Sequence, residues 1–397
     1  MTTATQADTQ QASARSAAKA DDIQQAATRL YSLDALRGFD MFWIMGADAL
    51  FHALSAAAPN SSILKVISDQ LEHPAWNGFH FYDLIFPLFL FMAGVSTPFS
   101  VGRELEKGKT RQQLVWRVVK RGLILVLFGL IANNGLEIRH IADIRFPSVL
   151  GRIGIAYMLA NIIYLYSSEI AQMIWFWALL IGYWLLLKFT SAPGFHAGDL
   201  TPEGNFASYV DRTILPGHLY VPFPDGRLNM HDPEGLFSTI PAISTGLLGI
   251  LTGALLKKSN LSQMQKVTRM VIVGALFIGL ARLWDFDFPI NKNLWTSSFV
   301  LLVGGISLTL MALFYYVIDV LGYKQWAFFF KVIGMNSILI YMSGHFISWH
   351  YTTNGFFKWL IQLCGEPWGA VMLAICVLVV KWLFLYFMYK KKVFLRV

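Results

Sequence analysis

The feature that most constrains this chain is a series of apolar segments, each long enough to cross the hydrocarbon core of a membrane. In the segment 295–321, no charged residue occurs between Trp295 and Ile318. A helix needs about 20 apolar residues to span about 30 Å of hydrocarbon. We therefore predict an all-α, polytopic membrane protein with about ten transmembrane helices. Their approximate limits are 33–54, 81–101, 117–136, 148–167, 172–191, 236–256, 268–286, 295–321, 328–350 and 368–389.

The composition excludes a soluble domain. Only 14% of the 397 residues are charged and 55% are hydrophobic, whereas soluble domains carry about 25% charged residues. The net charge of +8 comes from short basic clusters between the apolar segments. That pattern is typical of loops facing an anionic membrane surface and not of a nucleic-acid-binding protein. The two cysteines, Cys364 and Cys376, form neither a disulfide framework nor a metal site at this spacing, so no metal is predicted.

Lysine and arginine residues predict the orientation of the chain in the membrane. They are dense in 102–121, 257–269 and 390–396 and sparse in the alternate connections. Because cytoplasmic loops are enriched in Lys and Arg, we predict that the dense set is cytoplasmic and that both termini are too. Residues 1–28 are polar and lack the apolar stretch of a signal peptide. We expect them to form a disordered cytoplasmic tail before a transmembrane domain at 29–397.

The longest predicted connection, 192–235, faces the outside in this orientation. It is rich in proline and glycine, which are turn-forming residues. Long loops between helices often form lids or binding loops. We therefore expect an external lid or a substrate-binding cap, and the alternative is a tether with no role.

The first predicted span carries ionisable residues along one face of a regular 3.6-residue helix. The residues on this face are Arg37, Asp40, Asp48 and His52. Ionisable residues within a span are energetically costly and indicate a functional site by default. Alternatively, Arg37 reaches the inner interface and Asp40 is its i+3 partner. Asp48 has no such explanation, because it lies deep in the span and has no cation within one turn.

A second polar cluster surrounds the start of the second predicted span. His73 lies at the outer mouth of this span, and a histidine beside a carboxylate can act as a general base or a nucleophile near neutral pH. We predict that His73 and Asp48 are catalytic, since Asp48 lies in the outer half of the neighbouring helix. Trp76, Asn77 and Asp83 follow in the same stretch and are predicted to bind substrate. The alternative for His73 is a structural role.

Further polar residues in or beside the spans are candidates for ligand binding. Arg152 lies just inside an apolar span, where its guanidinium needs either a carboxylate of the protein or a phosphate of a ligand. Asn336 lies inside the ninth predicted span and must satisfy up to four hydrogen bonds, through another helix or through a ligand. The candidates for substrate binding on the outer side are Asn291, Lys292, Asn293 and His345.

Seven sequence blocks, in order along the chain, connect it with a known family. They are SLDALRGFDMF (32–42), HPAWNGFHFYDLIFPLFLFMAG (73–94), SVLGRIGIAY (148–157), DPEGLFSTIPAI (232–243), PINKNLWTSSF (289–299), GMNSILIY (334–341) and YKKKVF (389–394). By these blocks the chain resembles the heparan-α-glucosaminide N-acetyltransferase family of multi-pass membrane acetyltransferases, and it looks like a bacterial relative.

The resemblance implies transfer of an acetyl group from cytoplasmic acetyl-CoA to the amine of a glucosamine-type amino sugar at the outer face. The implied location is the cell membrane, here the bacterial inner membrane. The family's active-site histidine falls on His73, in the matching H-x-x-W-N-G. An assisting asparagine of the lysosomal relatives falls on Asp48, which is a departure. Arg152, Arg37 and Asn336 are then the predicted acetyl-CoA-binding residues.

The implied partners are an amino-sugar or glycan acceptor and the lipid bilayer, with a homodimer left open and nucleic acid not expected. The alternative function is an amino-sugar transporter in which Asp40, Asp48 and His73 relay protons. The lack of a visible internal repeat counts against a transporter built from inverted halves. A phosphate-binding site at the cytoplasmic side would instead favour the acetyltransferase over the transporter.

Overall fold

The computed structural model describes residues 30–136, 140–141, 144–220 and 230–395. The predicted tail 1–28 and residues 221–229 of the predicted external loop lie outside the described residues. The described part is helical and contains no extended β-strand, so the predicted all-α class is confirmed for it.

Helices follow one another closely along the chain. The first half contains α1 (Tyr31–Phe42), a π-helical turn (Trp43–Ala47), α2 (Asp48–Ala57), α3 (Ser62–Gln70), a 3₁₀ turn (Phe81–Leu84), α4 (Ile85–Val95), α5 (Thr97–Glu106), α6 (Arg111–Asn134), α7 (Val149–Tyr166) and α8 (Glu169–Phe189). The second half contains α9 (Phe206–Ile214), α10 (Thr239–Lys257), α11 (Gln263–Trp284), α12 (Ser297–Phe314), a π-helical turn (Tyr315–Val320), α13 (Ala327–Gly334), α14 (Ser337–Phe346), α15 (Trp349–Cys364) and α16 (Trp368–Lys390).

Seven helical segments of the described chain are long and apolar enough to cross a membrane. They are Phe81–Glu106, Val149–Tyr166, Glu169–Phe189, Thr239–Lys257, Gln263–Trp284, Ser297–Val320 and Trp368–Lys390. The pair α13 and α14, bent by 64°, makes an eighth if it is one span. Seven or eight of the about ten predicted spans therefore correspond to helices of this kind.

The other two predicted spans, 33–54 and 117–136, are helical but more polar than the rest. The helix over 117–136 begins with several basic residues, including Arg117 and Arg121. The helix over 33–54 is interrupted by the π-helical turn, inside which Gly46 has a φ of 136° that favours glycine. The uniform 3.6-residue period assumed for this segment therefore ends before Asp48.

Close helix packing in the centre of the bundle depends on glycine. A Cβ atom added at Gly249 would lie 2.1 Å from the carbonyl oxygen of Phe91, and one added at Gly253 would lie 2.3 Å from that of Val95. Any larger residue at these two positions would push α10 away from α4. The G-x-x-x-G spacing of Gly249 and Gly253 thus permits the close packing of α10 on α4.

The connections between helices meet at two ends of the bundle. At one end, Lys257 Nζ pairs with Glu106 Oε1 at 2.6 Å, and Lys258 Nζ pairs with Glu169 Oε2 at 2.7 Å. These ion pairs join the basic connections after α5 and α10 to each other and to the start of α8, and this end is called the basic end. Because successive long helices run in alternate directions, the connections that contain His73, Lys292 and 192–235 lie at the opposite end of the helices.

The opposite end, called the His73 end, carries the longest connection. Trp76 Nε1 donates to the carbonyl oxygen of Leu200 at 3.0 Å, and the Trp76 ring lies 5.1 Å from the ring of His231. The described parts of 192–235 therefore pack on the loop that contains His73, as a lid or cap would.

Candidate functional site

A turn before the second span brings His73 against Asp83. Gly78 has a φ of +119°, which favours glycine, and its N–H donates to the carbonyl oxygen of Ile290 at 2.8 Å. His80 begins the 3₁₀ turn, and its backbone N–H donates to Asp83 Oδ2 at 3.0 Å. The loop thereby closes the ten-residue separation between His73 and Asp83 into a direct contact.

His73, Asp83 and Lys292 form one polar cluster at the His73 end. His73 Nδ1 lies 2.7 Å from Asp83 Oδ1. Lys292 Nζ lies 2.9 Å from His73 Nε2 and 3.5 Å from Asp83 Oδ1. The Asp83 side chain is fully buried, whereas 48% of the His73 side chain is exposed. A buried carboxylate therefore holds a histidine that a ligand can reach.

The contact with Asp83 assigns the tautomer of His73. An ionised carboxylate only accepts hydrogen bonds, so His73 Nδ1 carries the hydrogen and Nε2 keeps a lone pair. In the structure this lone pair accepts from Lys292 Nζ at 2.9 Å, and it can accept a proton from a ligand that displaces this contact. The pair is thus arranged as an oriented general base.

Lys292 adds a positive charge beside this base. Its side chain, in the loop between α11 and α12, is 15% exposed. Burial lowers the pKa of Lys292 below its ordinary value, and the charges of Asp83 and Glu234 oppose that shift. A largely buried ammonium in this position can stabilise negative charge that develops next to His73.

Two asparagines join the loops that carry the cluster. Asn291 Nδ2 donates to Asn77 Oδ1 at 3.0 Å, and Asn291 Oδ1 accepts from the Leu294 N–H at 2.9 Å. Asn77 and Asn291, both predicted to bind substrate, thus connect the His73 loop with the Lys292 loop. Trp76 contributes by its hydrogen bond to the carbonyl oxygen of Leu200. These contacts hold the cluster in place.

Asp48 is connected to the cluster through Tyr82. The Tyr82 hydroxyl donates to Asp48 Oδ2 at 3.0 Å, and the Tyr82 ring lies 5.2 Å from the His73 ring. The carboxylate in contact with His73 is therefore Asp83, whereas the sequence predicts Asp48 for that place. The difference arises because the π-helical turn before Asp48 changes the direction of this helix face.

Arg152 lies at the His73 end, near the start of α7. One nitrogen, Nη2, donates to the carbonyl oxygen of Gly235 at 3.0 Å and to Ser238 Oγ, and the guanidinium carbon lies 4.8 Å from the Trp295 ring centre. The basic end is about 20 Å away along α7. Arg152 and the basic loops therefore cannot bind the same phosphate group.

The other two predicted cofactor-binding residues lie deeper towards the basic end. Arg37 Nη2 donates to Ser96 Oγ, which joins α1 to the second span. Asn336 Nδ2 donates to the carbonyl oxygen of Val393 at 2.9 Å, and Asn336 Oδ1 accepts from the Leu395 N–H at 3.0 Å. The amide of Asn336 thus holds the C-terminal segment against the break between α13 and α14.

The remaining candidates are separate from these contacts. His345 is exposed at the end of α14, with its ring 5.5 Å from that of Tyr341. Asn293 is half-buried next to Lys292. Asp40 is buried, and its carboxylate oxygens have no hydrogen-bond partner among the described residues.

Sequence reasoning did not single out Tyr82, Glu234 or Trp295. Tyr82 connects Asp48 with the cluster, Glu234 acts on the charge of Lys292, and Trp295 packs on Arg152. Glu234 lies outside the spans, so a search for charges within spans could not find it. In the described part of the chain, no group of three His, Cys, Asp or Glu side chains is placed to hold a metal ion.

The apolar helices and the polar cluster at one end define a multi-pass helical membrane protein with a candidate active site at the His73 end. The family model described as heparan-alpha-glucosaminide N-acetyltransferase, catalytic, matches residues 29–216. That range includes His73, Asp83 and Arg152, while Lys292 lies beyond it.

Two relatives extend this match over most of the chain. The chain is 28% identical to heparan-alpha-glucosaminide N-acetyltransferase from Homo sapiens and 29% identical to that from Mus musculus, over 82% of its own length in each case. The chain is thus similar to heparan-alpha-glucosaminide N-acetyltransferases over most of its length. The chain spans 56% of the length of each of these relatives.

Proposed function

We propose that the chain is a membrane-bound acetyltransferase that moves an acetyl group from acetyl-CoA to the amine of a glucosamine-type amino sugar. The similarity to heparan-alpha-glucosaminide N-acetyltransferases supports this reaction class. The observation that carries the proposal is the exposed His73 ring, held at 2.7 Å by the buried Asp83. An oriented, accessible base is what the reaction needs, because an amine of this kind is mostly protonated near pH 7 and cannot attack a thioester in that form.

In the proposed mechanism, His73 removes the proton from the acceptor amine. Nε2 takes that proton while Asp83 keeps Nδ1–H in place and stabilises the imidazolium that forms. Lys292 faces the negative charge that develops on the carbonyl oxygen during attack. Asp48 acts further out, by orienting Tyr82 beside the His73 ring.

The acceptor ammonium first loses one proton to solvent, and His73 then takes the second proton as the neutral amine attacks. The amine nitrogen forms a bond to the acetyl carbon, and the bond between that carbon and the sulfur of CoA breaks. His73 then returns its proton to the sulfur, which leaves as a thiol. We prefer this direct transfer to an acetyl-histidine, because an acyl group on an exposed ring would be open to attack by water.

The phosphates of CoA are proposed to bind towards the basic end, among the basic residues of 102–121 and near Arg37. Ser96, which contacts Arg37, lies 15 residues from Phe81 along the second span, or about 22 Å. An extended pantetheine arm reaches roughly 15–20 Å, judged from a chain of similar length. Phosphates held near Arg37 therefore leave the thioester close to the His73 end.

We infer that the basic end faces the cytoplasm and that the His73 end faces outwards across the cell membrane, the bacterial inner membrane. The density of lysine and arginine in the connections supports this orientation. The acetyl donor is then taken up from inside, and the acceptor is acetylated outside.

The test is an assay of the purified protein in detergent. Acceptor-dependent release of free CoA thiol is measured with acetyl-CoA and glucosamine, and binding of acetyl-CoA alone is measured by thermal shift. The matched variants are His73→Ala and His80→Ala. Both remove a histidine side chain from one loop, but only the first removes the proposed base, because His80 contacts Asp83 through its backbone N–H.

The proposal expects thiol release by the wild type and His80→Ala, loss of release in His73→Ala, and stabilisation of all three proteins by acetyl-CoA. No stabilisation of the wild type by saturating acetyl-CoA, together with passage of unmodified glucosamine into proteoliposomes, would favour the amino-sugar transporter instead.

A further inference from the structure

A cavity of about 180 Å³ lies beneath the long connection at the His73 end. Its walls come from α6, α7 and the segment that precedes α10. They are largely apolar and include Val126, Phe146 and Leu215, while Arg152 and Glu234 supply the charged groups. A single buried water needs about 10–15 Å³. The cavity therefore has room for on the order of a dozen waters, or for the about twelve non-hydrogen atoms of a hexosamine.

Arg152 brings unused hydrogen-bond donors to this cavity. The residue is 2% exposed, and only Nη2 has partners, the Gly235 carbonyl and the Ser238 hydroxyl. The buried Nε and Nη1 atoms have no hydrogen-bond partner among the described residues. Buried donors in folded proteins are nearly always satisfied, so these two nitrogens, with three N–H groups, indicate a ligand that carries oxygen acceptors.

Glu234 supplies the complementary acceptor. Its Oε2 accepts from Arg145 Nη2 at 2.5 Å, and this contact holds the carboxylate at the cavity wall. An ionised carboxylate has more acceptor sites than this one bond uses. The cavity thus offers N–H donors from Arg152, an acceptor from Glu234, and apolar surface between them.

A sugar ring matches this combination of groups. Each hydroxyl of a sugar both donates and accepts, so one ring can accept from Arg152 and donate to Glu234. The C–H faces of the ring are apolar and can pack on Phe146. A purely apolar ligand would leave Arg152 unsatisfied, and a purely anionic ligand would be repelled by Glu234.

The cavity also adjoins the proposed catalytic cluster. Both Arg152 and Glu234 act on the charge of Lys292, which itself contacts His73 at 2.9 Å. Trp295, which packs on the Arg152 guanidinium, follows Lys292 by three positions. The cavity and the cluster are therefore connected through Arg152, Trp295 and the Lys292 loop.

We propose that this cavity is the acceptor subsite, in which Arg152 and Glu234 bind the hydroxyl groups of the amino sugar whose amine faces His73. The assignment rests on the proposed acetyltransferase function. It gives Arg152 a role in binding the sugar and not the phosphates of CoA.

The test compares two tryptophan substitutions on neighbouring positions of α6. Val126 lines the cavity, whereas Leu127 is 53% exposed and points away from it. Val126→Trp should fill the cavity and raise KM for glucosamine at least tenfold while KM for acetyl-CoA stays within twofold. Leu127→Trp should change neither constant. Glu234→Gln, which keeps the shape of the side chain, should also raise KM for glucosamine.

The subsite proposal is overturned if the wild type acetylates glucosamine and the Val126→Trp variant has an unchanged KM for glucosamine. If both KM values are unchanged and a lipid that copurifies with the wild type is lost from Val126→Trp, the cavity is assigned to a lipid head group.

If the wild type acetylates no amino sugar, the proposed function fails first. Equal binding of glucosamine to wild type and Val126→Trp in equilibrium dialysis would then also reject the subsite. If Val126→Trp does not fold, Val126→Phe replaces it in each comparison.

Discussion

Replacing Asp83 with asparagine keeps the shape of the side chain but removes its charge and one of its two acceptor oxygens. In the structure, Oδ1 lies 2.7 Å from His73 Nδ1, and Oδ2 accepts from the His80 N–H at 3.0 Å. The single oxygen of an asparagine can serve only one of these donors, and its NH₂ group then faces the other. Asp83→Asn therefore either inverts the tautomer of His73 or leaves the His80 N–H without an acceptor.

The two arrangements have different costs. When the His80 N–H is left without an acceptor at the fully buried side chain, the unpaired donor costs about 1–3 kcal/mol, and we expect the free energy of unfolding to fall by about that amount. When the NH₂ group faces Nδ1, the ring hydrogen moves to Nε2 and the proton-accepting lone pair is lost. We then expect kcat to fall about 10²–10⁴-fold, the usual range for a lost general base. That range corresponds to about 2.7–5.4 kcal/mol of transition-state stabilisation.

The assay is acceptor-dependent thiol release at saturating acetyl-CoA and glucosamine, with thermal unfolding measured on the same preparation. Asp48→Asn is the matched control, since it makes the same chemical change in a carboxylate that contacts Tyr82 and not the His73 ring. We expect its kcat to stay within about tenfold of the wild type, well below the loss of a general base. A folded Asp83→Asn protein that retains both near-normal kcat and near-normal stability would refute the assignment of Asp83 as the residue that orients His73.

Three further predictions concern the rest of the molecule. Asn336→Ala should lower the free energy of unfolding by about 1–3 kcal/mol, because it removes two hydrogen bonds to the C-terminal segment. The acetyl-CoA affinity of the folded variant should be unchanged. A tenfold weaker affinity would instead support the predicted role of Asn336 in cofactor binding. Burial raises the pKa of Asp211 to about 6 and lowers the pKa of His231 to about 4. Asp211 therefore stabilises the fold at low pH, and His231 stabilises it at high pH. In Asp211→Asn the thermal unfolding temperature should therefore rise from pH 4 to 6 more steeply than in the wild type, and an equal or flatter slope would contradict this. A cysteine at exposed Thr213 should react with an impermeant maleimide in intact cells and one at exposed Ser259 should not, while the reverse pattern would overturn the orientation.

The residue types of the site could be read from the sequence, because polar groups at the ends of apolar segments are uncommon and costly. This reasoning identifies His73, Asp83 and Lys292, and also Asn77 and Asn291. Their assembly at one end also follows from the alternation of helix direction. The geometry within the cluster does not follow, since it depends on how two loops meet.

The partner of His73 shows where sequence reasoning ends. A constant period of 3.6 residues aligns Asp48 with Arg37, but the π-helical turn and Gly46 break that period. The Asp83 contact instead depends on the turn at Gly78, which no helical period describes. Helix periodicity predicts which residues share a face only while the helix stays regular.

The location of Arg152 has a similar explanation. Its place inside an apolar segment correctly indicates a buried guanidinium in need of partners. Those partners, the Gly235 carbonyl and the Ser238 hydroxyl, come from a segment 83 or more residues later in the chain. Long-range contacts of this kind leave no pattern in a single sequence, so the end of the bundle at which Arg152 acts had to come from the structure.

The most direct test of the central claim uses the protein in sealed liposomes, with acetyl-CoA supplied outside and glucosamine enclosed inside. We expect N-acetylglucosamine to form inside the vesicles in an amount equal to the CoA thiol released outside, and we expect neither product with His73→Ala. Formation of N-acetylglucosamine by His73→Ala at a rate comparable to the wild type, or escape of unmodified glucosamine from the wild-type vesicles without thiol release, would contradict the account.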